Sequence, residues 1–145
     1  MLVFSRRAAL AAAFALASLS CAYAGETKYS AKLDGASETP PNSSPGTGTV
    51  DARFDSSTKT LSWTITYSGL TGPATAAHFH GPAPTGKSAG IMVPIIGALA
   101  SPIQGSAKLT DDQIKELAEG QVYFNVHTEA HKAGELRGQM TLAGS

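Results

Sequence analysis

The chain has 145 residues, enough for one domain and hardly more, and its 11 basic and 11 acidic side chains cancel. That balance, with only 15% charged residues, excludes the basic excess by which nucleic-acid binders hold phosphate. A hydrophobic content of 42% excludes a disordered chain.

Residues 1–24 have the pattern of a targeting segment. Arg6 and Arg7 precede an apolar, small-residue run over residues 8–20, too short to span a bilayer. Ala22-Tyr23-Ala24 is a small-x-small cleavage site. Together they predict a signal peptide, cleavage before Gly25, and a periplasmic or secreted single domain over residues 25–145. Ser5-Arg6-Arg7 followed by Ala9-Leu10 is an incomplete match to a twin-arginine signal, so both export routes stay open. Lipidation at Cys21 is less well supported, because Ser18-Leu19-Ser20 fits a lipoprotein signal poorly.

Without that segment 121 residues remain, with nine basic and all eleven acidic side chains, since only Arg6 and Arg7 leave with it. No cysteine remains. This excludes a disulfide, a cysteine nucleophile and a Cys-rich zinc site. All 15 Gly and 8 Pro stay, a density that predicts turns and short strands rather than helices.

Residues 29–33 alternate apolar and polar, the period of a half-buried strand. Residues 34–48, with Pro40, Pro41, Pro45, Gly46 and Gly48, predict a loop. Val50, Ala52 and Phe54 alternate with Asp51 and Arg53, and residues 55–59 form a turn. Leu61, Trp63, Ile65 and Tyr67 then share one face, with Thr60, Ser62, Thr64 and Thr66 on the other. These two runs predict an antiparallel hairpin with one dry and one wet face.

Residues 74–80 form a short strand with Ala77 and Phe79 on one side and His78 and His80 on the other. A second Gly/Pro loop covers residues 81–90. Ile91, Val93 and Ile95 resume alternation, and Pro94 predicts an edge or a bulge. Residues 97–106 read as irregular. Thr110 and Gln113 form a capping box with Leu109 and Ile114 as a staple, which predicts one short helix over about 110–119, ended by Gly120. Its apolar stripe is Ile114, Leu117 and Ala118. Val122, Phe124 and Val126 alternate with Tyr123, Asn125 and His127, and residues 128–134 are a loop. Residues 135–140 give a last strand with Glu135, Arg137 and Gln139 on one face and Leu136 and Met140 on the other. The sum is six to eight short strands and one helix, an all-β antiparallel sandwich or barrel.

Histidine is the one concentrated chemistry. His78 and His80 are two apart on a strand, so both leave the same face, with Cα atoms about 6.5–7 Å apart. His127 ends the polar face of another strand, and His131 follows in the loop. If those strand ends meet, three or four imidazoles face one point. Imidazole clusters without thiolates suit Cu(II), Zn(II) or Ni(II). The bland alternative is an exposed H-x-H pair whose opposite face, Ala77 and Phe79, already explains the strand. Glu129 and Glu135 are candidate carboxylates to orient a ligating imidazole. Glu135 and Arg137 read as a structural ion pair. No nucleophile-elbow context surrounds any serine, and residues 81–90 lack a phosphate-loop pattern.

Ala77-His-Phe-His80-Gly-Pro-Ala83, Gly90-Ile-Met-Val-Pro-Ile95, Leu109-Thr110, Gly120-Gln-Val-Tyr-Phe-Asn-Val-His-Thr128 and Gly134-Glu-Leu-Arg-Gly-Gln139 resemble the CHRD (chordin) domain, over roughly residues 27–143. That resemblance implies an immunoglobulin-like, Greek-key all-β fold. It places His78, His80 and His127 on motif positions and His131 on a more variable one. The loop after the third histidine departs from the family's usual Pro-Gly, reading Lys132-Ala133-Gly134. The H-x-H also resembles the copper ligands of Cu,Zn superoxide dismutases, but the other ligands and the disulfide of that family are missing.

Three functions follow as expectations. The first is an exported protein that binds metal, copper before zinc, through His78, His80, His127 and His131, in copper binding, delivery or tolerance. The second is a copper-dependent, dismutase-like redox enzyme. The third is a non-catalytic adhesion or interaction module with structural histidines, whose partner is another exported protein. None involves nucleic acid or a membrane span in residues 25–145.

Overall fold

The computed structural model describes residues 25–144; the expected signal segment, with Cys21, lies outside the described residues. The strands are β1 (Glu26–Asp34), β2 (Thr47–Asp55), β3 (Thr60–Ser68), β4 (Ala74–His80), β5 (Ile91–Pro94), β6 (Ile103–Lys108), β7 (Tyr123–Thr128), β8 (Leu136–Gln139) and β9 (Thr141–Leu142), with the helix α1 (Asp111–Ala118) before β7. All pairings are antiparallel, in the order β5-β4-β7-β8-β1-β2-β3-β6, with β9 beside β1. Among the described residues, the expected all-β antiparallel barrel or sandwich with a single short helix is what forms.

The β2–β3 hairpin follows its sequence pattern. Ala52 faces Trp63 and Val50 faces Ile65, all buried. The sheet then curls, so that its two halves share one core. Phe79 of β4 is wholly buried, with its ring 5.1 Å from Trp63 of β3 and 4.9 Å from Phe124 of β7. Burying one such ring is worth about 2–3 kcal/mol, so this aromatic cluster is a main tie between the halves.

Strand β6 corrects the expected irregular stretch. Its sequence, Ile-Gln-Gly-Ser-Ala-Lys, has little strand propensity. The reason is tertiary: a Cβ on Gly105 would lie 2.9 Å from Trp63 Cζ2, so the indole takes the space that a side chain would fill. Pro94 sits on the edge strand β5, as its missing N–H requires. Helix α1 has the expected capping box: Thr110 Oγ1 accepts from Gln113 N (3.3 Å) and Gln113 Oε1 accepts from Thr110 N (3.0 Å). Leu117 is buried and Ile114 packs on the core, while Ala118 is exposed and not part of the apolar stripe.

The last strand is also corrected. Glu135 precedes β8, and the Glu135–Arg137 ion pair is not formed. The wholly buried Glu135 carboxylate instead accepts from Ser44 Oγ (2.6 Å), Thr71 N (2.8 Å), Thr71 Oγ1 (2.8 Å) and Thr128 Oγ1 (2.6 Å). Arg137 extends to the outer face, donating to Lys87 O (2.6 Å) and Thr39 Oγ1 (3.4 Å), with its guanidinium 3.5 Å over the Tyr123 ring. The ion-pair expectation failed because each residue meets a loop far away in sequence before it meets the other. Among the described residues, no helix is long and apolar enough to cross a membrane.

Candidate metal centre

The inward side chains of β4 and β7 decide where the histidines go. Ala77 and Phe79 face the core on β4, and Phe124 and Val126 do so on β7. Alternation therefore turns His78, His80, Tyr123, Asn125 and His127 to the outer face. The register sets His78 opposite Asn125, His80 opposite Tyr123, and Ala76 opposite His127. Arg137 of β8 lies opposite Asn125 on its other side.

This outer face is not open. Three loops, over residues 35–46, 81–90 and 129–134, fold onto it and supply backbone and side-chain partners. Ala89 O meets His80 Nδ1 (3.1 Å), Lys132 O meets His127 Nδ1 (2.9 Å), and Glu38 Oε1 accepts from Asn125 Nδ2 (3.2 Å). Glu38, His80, Asn125 and Arg137 are consequently buried, whereas His78 and His127 are half-buried. His80 stacks on Tyr123 with centroids 4.8 Å apart and planes 4° from parallel.

One ring nitrogen from each of His78, His80 and His127 lies within 4.8 Å of the others. His78 Nδ1 is 3.2 Å from His127 Nε2. Carbonyl oxygens only accept, so Ala89 O and Lys132 O fix the protons of His80 and His127 on Nδ1. The Nε2 lone pairs of both rings then point into the cluster. Both meet Asn125 Oδ1, at 3.0 Å from His80 and 3.1 Å from His127. That oxygen is also an acceptor, so the lone pairs of His80 Nε2, His127 Nε2 and Asn125 Oδ1 converge with no hydrogen between them when these two imidazoles are neutral. Such a donor set fits a cation.

Charge on His78 and His80 is disfavoured. Burial lowers the pKa of His78, with His127 and His80 nearby adding to the effect. Burial also lowers that of His80, partly offset by its bonds to Ala89 and Asn125. Burial raises Glu38 above the usual carboxylate range, against the opposing pull of Thr39 N–H, Asn125 and Arg137.

His131 lies outside the three-histidine group. Its described bonds are made by its backbone, with Thr128 and Gly134, and it lines a shallow pocket with Glu38, Pro40 and Lys132. The loop turns back after Thr128, which carries His131 off the polar face of β7. The two candidate orienting carboxylates are also elsewhere. Glu129 makes an exposed pair with Lys132 (2.9 Å), and Glu135 is held by Ser44, Thr71 and Thr128. Backbone carbonyls orient His80 and His127 instead. Asn125 and Glu38 were missed by sequence reasoning. Asn125 was findable, because it shares a strand face with His127 two residues away. Glu38 was not, because only the fold brings it across 87 positions.

No curated protein and no solved structure matches the chain. The profile of the CHRD domain matches residues 29–140, which include β2 to β8 and the whole histidine cluster. That span is most of the sequence, and the chain belongs to the CHRD domain family.

Proposed function

We propose that this protein is an exported metal-binding domain that holds copper through His78, His80 and His127, and that it serves in copper binding, delivery or tolerance. The observation that carries the reading is the convergence of three imidazole donors within 4.8 Å, with no thiolate among them. Imidazoles favour Cu(II) in the divalent series, with Zn(II) as the alternative ion. His78 and His127 are half-buried, so one side of the site faces solvent. That opening favours exchange with a partner over a purely structural ion. The export part of the reading rests on the sequence of residues 1–24.

The test is metal content and Cu(II) and Zn(II) titration of the purified protein, repeated with His78→Ala and His127→Ala. The expected result is one ion per chain with sub-micromolar affinity, weakened at least about 100-fold in each variant. Absence of binding would leave the histidines as parts of a hydrogen-bond network and favour an interaction module. The solvent-facing side also suits the dismutase-like alternative. Superoxide turnover by the copper-loaded protein separates that enzyme from a carrier.

A further inference from the structure

We propose that Asn125 supplies the fourth donor of the metal site through its Oδ1, and that Glu38 is the positioning residue that turns this oxygen toward the histidines. The inference rests on the metal-binding reading above and adds a ligand to it.

The distances carry the first half. A four-coordinate ion with bonds of about 2.0–2.1 Å separates neighbouring donors by about 2.9 Å in a square and about 3.3 Å in a tetrahedron. His78 Nδ1 to His127 Nε2 is 3.2 Å, His127 Nε2 to Asn125 Oδ1 is 3.1 Å, and Asn125 Oδ1 to His80 Nε2 is 3.0 Å. Each of the three separations matches an edge of such a four-coordinate polyhedron. Without Asn125, His80 has no short edge to either other histidine among the described contacts. The amide oxygen bridges them.

Proton bookkeeping carries the second half. A side-chain amide has one accepting and one donating end, and either end fits the same space. Glu38 decides between them. Its Oε2 accepts from Thr39 N (3.2 Å), and its Oε1 accepts from Asn125 Nδ2 (3.2 Å). Turning the amide over would set Oδ1 against the carboxylate and the NH2 group against the imidazoles. Glu38 Oε1, by accepting from the Nδ2 end, therefore aims the oxygen inward, although Glu38 is itself no ligand.

The backbone makes room for this pair. Gly134 has φ +132°, and a Cβ there would fall on the Glu38 carboxylate and lie 2.8 Å from Asn125 Nδ2. Glycine is thus required where the 129–134 loop crosses the Glu38–Asn125 bond. Both side chains are buried, so the pair is shielded from competing water.

The experiment uses the protein produced from its full-length gene and Cu(II) as the probe. Calorimetric titration is paired with electron paramagnetic resonance, which reads the donor set directly. Four proteins are compared with wild type: His127→Ala, Asn125→Leu, Glu38→Gln, and the double variant Glu38→Gln/Asn125→Asp. Leu keeps the approximate shape of Asn and removes the donor. The double variant keeps the bond, because the swapped amide donates to the new carboxylate, and it moves the negative charge onto the ligand.

Asn125→Leu is expected to weaken Cu(II) about 10–100-fold and to change the copper spectrum from that of three nitrogens and one oxygen. Glu38→Gln should weaken binding about tenfold, and adding Asn125→Asp should restore it or exceed wild type. That rescue is a readout a merely structural role would not move. If wild type binds copper and His127→Ala loses it, but Asn125→Leu and the double variant keep wild-type affinity and spectrum, the fourth-donor inference is overturned and the three-histidine site stands. If wild type binds no copper, both fall together.

Discussion

Replacing Glu135 by Gln removes a charge from the interior while leaving the shape in place. Four hydrogen bonds converge on the carboxylate, from Ser44, Thr128 and both the N–H and hydroxyl of Thr71. Burial alone would raise the pKa, but these bonds override it and hold the group at about 2 instead of 4.5. That difference corresponds to about 3 kcal/mol of preference for the ionised form in the fold. The side chain is wholly buried.

The sign follows from the direction of the shift. A carboxyl with a depressed folded-state pKa stabilises the fold fully above its unfolded value of 4.5, and that contribution is lost as pH falls from 4.5 toward 2. Glu135→Gln should therefore be about 3 kcal/mol less stable than wild type at pH 7. The gap should shrink to about 1 kcal/mol or less near pH 2, where Glu135 is about half protonated in the fold and the Thr71 and Thr128 hydroxyls can rotate to accept from an amide. Urea unfolding followed by Trp63 fluorescence at pH 7, 5, 3 and 2 measures the gap. The other carboxylates titrate in both proteins and cancel in the difference. A gap that stays constant from pH 7 to pH 2 would refute the reasoning, because it would show that shape rather than charge carries the contribution.

Three further outcomes are expected. Gly134→Ala should destabilise the protein by at least about 2 kcal/mol, from strain at φ +132° and the clash with Glu38, whereas Gly120→Ala, at φ +70° with open space around it, should cost about 1 kcal/mol; thermal unfolding of the two variants compares them. In the metal-free protein the lowered pKa values of His78 and His80 mean that their contribution is present above pH 6.5 and lost as pH falls below it, so calorimetry in chelator should show the melting temperature dropping between pH 7 and 5, less steeply in His80→Asn. Thr110→Ala should cost about 1 kcal/mol through loss of the capping box, measured by denaturant unfolding, with the histidine cluster unaffected.

Alternation is a local property, and where it was clean it predicted structure directly. The β2–β3 hairpin, the outward turn of His78 and His80, and the inward turn of Phe124 and Val126 all follow from side chains leaving a strand on alternate faces. The helix start at Thr110 is equally local, since the capping box closes within four residues. Strand β6 was hidden because its glycine serves Trp63 of a neighbouring strand rather than its own propensity. The fate of Glu135 and Arg137 was hidden for the same kind of reason. Ser44, Thr71 and Lys87 reach them from loops whose position no periodicity encodes.

The balance of charge and the single cysteine say less about this protein than residues 25–145 do. Those residues already contain a turn-rich all-β domain without thiols, and three histidines on outward strand positions. Local chemistry is sufficient for that, because alternation and turn residues act over a few positions. The convergence of His78 and His80 with His127 needed β4 to pair with β7 across some 49 positions in one register. The exclusion of His131, the carbonyls that orient two imidazoles, and the Glu38–Asn125 bond needed three loops to fold over one sheet face. A register slip of one residue would turn the same side chains into the core, so the pairing, not the composition, makes the site.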